Sequence, residues 1–179
     1  MTRKIIIDTD PGQDDAVAIL LALVSPEIEV LGITAVAGNV PLALTARNAR
    51  IVCEVAGRTE TRVFAGCDAP MARPLVTAEH VHGKTGLDGP ALWAPEMPLE
   101  AAHGVDFIIE TLRHEAPGSV TLCALGPLTN LGTALTRAPD IAPRLSETVV
   151  MGRPDLEVGH IPPSAASTTS VAPSPACTA

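Results

Sequence analysis

Ile5-Ile6-Ile7-Asp8-Thr9-Asp10-Pro11-Gly12-Gln13-Asp14-Asp15-Ala16 is the stretch from which the fold of this chain can be read. Three consecutive β-branched isoleucines suit a strand buried on both faces. Pro11-Gly12 then breaks the chain. Ala16, Ile19, Leu20 and Leu23 follow at i, i+3, i+4 and i+7, the stripe of a helix with one buried face. Four carboxylates are thus gathered where a strand turns into a helix. Two unit charges about 4 Å apart repel by ~4 kcal/mol at an effective dielectric near 20, so the cluster calls for a cation, protons or wide spacing. A hard divalent ion answers that need, and Ca²⁺ suits a site so rich in carboxylate. Helix capping competes for two of the four, because Asp14 and Asp15 would favour the helix start in any case. Asp8 and Asp10 precede the helix on extended backbone, where a period of two sends both side chains to one side. Strand C-terminal ends in open α/β sheets are where ligands bind.

Outward from this stretch, strand-like and helix-like segments alternate. Residues 28–34 read as a strand, and Leu42, Ala46, Ala49, Val52 and Cys53 as a helical stripe. Residues 62–65 are a short strand, and Val105, Ile108, Ile109 and Leu112 a helix. Residues 120–124 are a strand, Leu128, Leu131 and Leu135 a helix, and residues 148–151 a last strand. This rhythm predicts an α/β fold, an open and mostly parallel sheet with helices on both faces. Residues 66–100 interrupt it with a Gly-, Pro- and His-rich stretch carrying the one tryptophan, Trp93, and are expected to form a lid. Residues 1–160 are read as one α/β domain. Residues 161–179, almost wholly Pro, Ser, Thr, Ala and Val, are expected to be disordered.

With two Phe, one Trp and no Tyr, the core must be built from small aliphatic residues. A net charge of −8 without any Lys/Arg cluster argues against a nucleic-acid partner. No apolar stretch reaches membrane-spanning length and no secretory leader is read at the start, so a cytoplasmic protein with no membrane partner is expected. Cys53, Cys67, Cys123 and Cys177 show no C-x-x-C pairing, which disfavours a zinc site or a disulfide framework. Cys53 and Cys123 lie in apolar patterns and read as buried free thiols.

Three further segments stand in order behind the aspartates: Val36-Ala37-Gly38-Asn39-Val40, His82-Gly83-Lys84-Thr85-Gly86-Leu87-Asp88-Gly89-Pro90, and Ala124-Leu125-Gly126-Pro127-Leu128-Thr129-Asn130. Together with the aspartate string they resemble the inosine–uridine-preferring nucleoside hydrolases, over roughly residues 3–152. The resemblance implies a Rossmann-like open α/β fold, incomplete at its C-terminus. It also implies calcium-dependent hydrolysis of the N-glycosidic bond of ribonucleosides to free base and ribose, by a homo-oligomer. Carried over by position, Asp10 and Asp15 would ligate Ca²⁺ with the main-chain carbonyl of Leu125, and Asp10 would also be the general base. Asp14 and Asn39 would bind the sugar, Asp8 would support the ligands from behind, and His82 would reach the base from the lid. Thr129-Asn130 opens a helix after a Gly-Pro turn and reads as helix capping. A haloacid-dehalogenase-like phosphatase also places Asp-x-Asp after a strand, but Gly12-Gln13-Asp14 stands where that class needs a further Thr. An EF-hand fails because no glutamate closes the loop at its twelfth position.

Past Met151-Gly152 the resemblance decays. His160 and Thr168 stand where amides are expected, and Ser167-Thr168-Thr169-Ser170 is what the codons of Glu-Tyr-Asn-Val give one base out of frame. A frameshift is the expectation, which genomic sequencing of that region tests. The resemblance also leaves this chain without the family's C-terminal aspartate and histidine. Little or no hydrolase activity is therefore expected of the 179 residues alone, and the alternative is a catalytically inert nucleoside- or calcium-binding α/β domain.

Overall fold

β1 (Arg3–Thr9) runs through the centre of a five-stranded sheet, with its isoleucine run buried on both sides. The computed structural model describes residues 2–89 and 92–151. After β1 come α1 (Gln13–Val24), β2 (Ile28–Ala35), α2 (Leu42–Val55), β3 (Val63–Ala65), the short α3 (Glu79–His82) and α4 (Gly104–His114). Then follow β4 (Val120–Ala124), α5 (Thr129–Arg137), a 3₁₀ helix (Pro139–Arg144) and β5 (Leu145–Val150). All pairings are parallel, in the order β3-β2-β1-β4-β5. The chain thus moves outward from β1 to β3, then returns to place β4 on the other flank of β1. The strand ends of β1 and β4 therefore form a topological switch point, where such sheets open a crevice.

The expected fold is the observed one. Alternation along β1 sends Ile5 and Ile7 to one face and Ile6 to the other. Ile5 and Ile7 pack with Ile19 and Leu23 of α1 and Val52 and Cys53 of α2. Ile6 packs with Val105 and Ile108 of α4, Leu122 of β4 and Leu131 of α5. Cys53, Cys67 and Cys123 are free thiols, and burial pushes the Cys53 thiol up to about 12. Both phenylalanines sit on the second face, stacked with ring centroids 4.0 Å apart, and Gly32 leaves room for them. A Cβ on Gly32 would stand 2.6 Å from the tip of the Phe107 ring. Emptying this site should be severe. Phe107→Ala is expected to cost about 3–5 kcal/mol, measured from denaturant midpoints, and a loss below about 1 kcal/mol would show that the pair is not part of the core.

Three local features depart from the sequence reading. β5 begins at Leu145, not at residue 148, because a 3₁₀ helix with prolines at 139 and 143 feeds it without any helical stripe. The interrupting segment contains α3, and Glu100 bridges in parallel to Phe64 beside the edge strand β3. The same segment is tied to α2. The Glu54 carboxylate accepts from Trp93 Nε1 (2.6 Å) and from the Met97 amide (2.8 Å). No helix among the described residues is long and apolar enough to cross a membrane. Pro90 of the third motif, Gly152, His160, and the readings placed on residues 161–179 lie outside the described residues.

Candidate active site

Residues 8–15 leave β1 at the switch point, and the acids that end the strand are turned inward. Asp8, Asp10 and Asp15 are all buried, with Asp10 only 4% exposed. Asp8 Oδ1 accepts from Thr34 Oγ1 of β2 (2.6 Å) and from Asn130 Nδ2 of α5 (2.7 Å), while its Oδ2 has no partner among the described residues. Burial pushes the Asp8 carboxyl up to about 6 against the pull of those two donors. Asp8 is thus held from both flanks of β1, by Thr34 of β2 and Asn130 of α5.

Asp10 lies between the loops that follow β2 and β4. Its Oδ2 accepts from the Asn39 amide (2.7 Å), and Asn39 Nδ2 donates to the Asp10 carbonyl (2.9 Å). A Cβ on Gly38 would collide with Asp10 Oδ2, and one on Gly126 with Asp10 Oδ1. The glycines of two motifs are there because a carboxylate occupies the space of their missing side chains. The Leu125 amide donates to the Asp8 carbonyl (2.7 Å), which fastens this second loop to the end of β1. Burial, and then the charge of Asp15, raise the Asp10 carboxyl well above its ordinary value.

Asp15 caps the helix with one carboxylate oxygen only. Its Oδ2 accepts from the Gly12 amide (3.0 Å), capping α1, and its buried Oδ1 has no partner among the described residues. Burial again dominates, pushing its carboxyl up to about 6. Asp14 is exposed on the first turn of α1. His82 is buried, and its Nδ1 lies 2.8 Å from Gln13 Oε1. A Cβ on Gly12 would stand 2.6 Å from His82 Nδ1 and 3.1 Å from Asp14 Oδ1. The structure thus gathers Asp8, Asp10, Asp14, Asp15, Asn39, His82 and the Leu125 loop around one turn.

Among the described residues no group of three His, Cys, Asp or Glu side chains is arranged to hold a metal ion. Two inward-facing carboxylates with depressed acidity and one orphaned oxygen nonetheless have the chemistry of an incomplete hard-cation site. Two surface hollows of about 250 and 300 Å³ lie against α4, beside Arg137 and beside Arg62, away from this turn. They gather none of its residues.

Asn130 corrects the sequence reading. α5 has no side-chain cap, and Asn130 instead reaches across the strand ends to Asp8, to the Ala35 carbonyl (3.2 Å) and, through its Oδ1, to the Cys67 amide (2.7 Å). Gly66 leaves the space for it. Thr34 and Gln13 also gain their partners only in the fold, since nothing in a lone Thr on a strand or a Gln on a helix start announces one.

The family model described as inosine-uridine preferring nucleoside hydrolase matches residues 5–165. An uncharacterized protein of Schizosaccharomyces pombe is 51% identical over 162 residues, covering 90% of this chain and 52% of that protein. The inosine-uridine preferring nucleoside hydrolase of Crithidia fasciculata is 45% identical over 154 residues, covering 85% of this chain and 49% of its own length. A solved plant nucleoside hydrolase superposes with a TM-score of 0.81 at 35% identity, covering 86% of this chain and 49% of that one. The chain spans about half the length of the curated relatives it matches.

Proposed function

We propose that this chain, which belongs to the inosine-uridine preferring nucleoside hydrolase family, carries the general base and half of the cation site for hydrolysing the N-glycosidic bond of ribonucleosides. The observation that carries the proposal is the inward-facing pair Asp10 and Asp15, packed against the Asn39 and Gly126 loops at the switch point. Cleavage at C1′ builds an oxocarbenium-like cation, which buried carboxylates stabilise. Asp10 accepts the proton of the attacking water at its carboxylate. Burial strengthens it as a base for as long as it stays ionised. Asn39 orients that carboxylate through its main-chain amide and holds the Asp10 main-chain carbonyl through its Nδ2, and its side-chain oxygen would accept from a sugar hydroxyl. Asp14, exposed on the first turn of α1, accepts from a second hydroxyl. His82, beside Gln13 and Gly12, contacts the leaving base from the lid.

Asp10, Asp15 and the Leu125 carbonyl would hold Ca²⁺. Bound there, the ion supplies counter-charge to the two acids and grips the ribose diol. Three protein oxygens are fewer than the six to eight that calcium takes, so weak binding and little turnover are expected of these 179 residues. That number favours the second reading, an inert nucleoside- or calcium-binding domain, for the chain taken alone. A cytoplasmic salvage role and homo-oligomerisation belong to the same family-based reading.

Calcium titration paired with release of hypoxanthine from inosine tests both readings. Weak calcium binding that disappears in Asp10→Ala, with little release, is the expected result. Calcium binding that survives in Asp10→Ala would remove the proposed site. Robust release by the natural chain would overturn the expectation of inactivity.

A further inference from the structure

We propose that Asn48, in the middle of α2, is a positioning residue that docks the loop carrying His82 onto the Asp10–Asp15 turn. This rests on the proposed role of that turn. Asn48 is fully buried, and its Nδ2 donates to two carbonyls on different segments, Pro11 (3.2 Å) and Thr85 (2.8 Å). Pro11 follows Asp10 directly, and Thr85 lies three residues beyond His82. One side chain thus joins the turn to the lid.

Neither helix formation nor burial explains an asparagine at this place. Asn is a poor helix former away from the ends. Its Oδ1 is buried with no partner among the described residues, a cost that an apolar side chain of equal size would avoid. The two donated bonds are what this residue adds.

The lid is shaped to receive them. Asp88 accepts from the Lys84 amide (3.1 Å), the Thr85 amide (3.0 Å) and the Thr85 hydroxyl (2.5 Å), which sets the Thr85 carbonyl facing α2. Gly86, at φ +82°, passes so close that a Cβ would stand 2.9 Å from Asn48 Nδ2 and 3.3 Å from the Pro11 carbonyl. Leu87 is buried in the same apolar cluster as Ala49 of α2. The lid is therefore seated by its neighbour, and Asn48 sets where His82 meets Gly12 and Gln13.

Asn48→Leu and Asn48→Asp preserve size and remove both donors at neutral pH. In the 179-residue chain, hydrogen exchange across residues 79–88 is expected to rise at least tenfold in both variants. The His82 ring resonances, assigned with His82→Gln, should move towards those of a solvated histidine. Exchange at Val52 and Cys53 in α2 should stay near its natural rate. Unchanged exchange and His82 resonances in folded variants would overturn the proposal. So would loosening of α2 and the lid by the same factor, which would mark a purely structural residue. Should neither variant fold, the natural chain still decides the matter. The carboxamide protons of Asn48 should be protected in step with residues 79–88, and exchange as fast as exposed amides would refute the docking. None of these readouts needs calcium or catalysis, so a failure of the proposed function would leave them standing.

Discussion

Asp10→Asn is expected to raise the melting temperature of the metal-free chain by several degrees at pH 7.5 and to abolish any response to calcium. The substitution keeps an oxygen to accept from the Asn39 amide while removing a charge that is buried and repelled by Asp15. Taking an ion out of water without a counter-charge opposes folding, whereas an amide of the same shape carries little of that cost. About 1 kcal/mol moves the midpoint of a domain this size by roughly 2–4 °C, so relief of even part of the strain is measurable. The natural chain should behave in the opposite way. A cation that binds only the folded state stabilises it by mass action, so millimolar calcium should lift its midpoint relative to EDTA and leave the variant unmoved. A midpoint lowered by Asp10→Asn in EDTA would mean that the carboxylate is already balanced by protein groups.

Without divalent cations, stability is expected to fall as the pH rises from about 4 to above 6. Asp8 and Asp15 have folded-state values raised from 3.8 to about 6, and Asp10 is raised as well. In that window the folded chain holds protons that the unfolded chain has released, so each step up in pH favours unfolding. The contribution is fully present below the unfolded value and is lost through the folded one. Each shift of this size corresponds to about 3 kcal/mol, against a total stability of roughly 5–15 kcal/mol for a domain. Half-buried Glu54 and exposed Asp88 and Asp140 act in the opposite sense. Hydrogen bonds lower them, led by the Met97 amide, the Thr85 hydroxyl and Arg113 respectively, and what they contribute is lost only as the pH falls below about 4. Urea midpoints in EDTA from pH 4 to 8 measure the slope. A stability that rises across this window would show that the three acids reach water, and the flattening of the slope by calcium reports proton–cation competition at Asp10 and Asp15.

The alternation of stripes and β-branched runs determined that this chain forms a parallel α/β sheet, because buried strands and half-buried helices each impose their own hydrophobic period. The crowding of Asp8, Asp10, Asp14 and Asp15 at a strand exit likewise pointed to the candidate site, since like charges gathered together call for something to balance them. Gly38, Gly126 and Gly66 were visible as letters, but their purpose was not: each makes room for a polar side chain remote in sequence, Asp10 for the first two and Asn130 for the third. Asn130 and Asn48 read as a cap and an unremarked helix residue, because the carbonyls and carboxylate they hold belong to other segments. Hydrophobic period is a local property, repeated along a segment and legible there. Hydrogen bonds between side chains and distant backbone have no period, so only the parallel order that brings the strand ends together decided which acids are buried and which amides hold them.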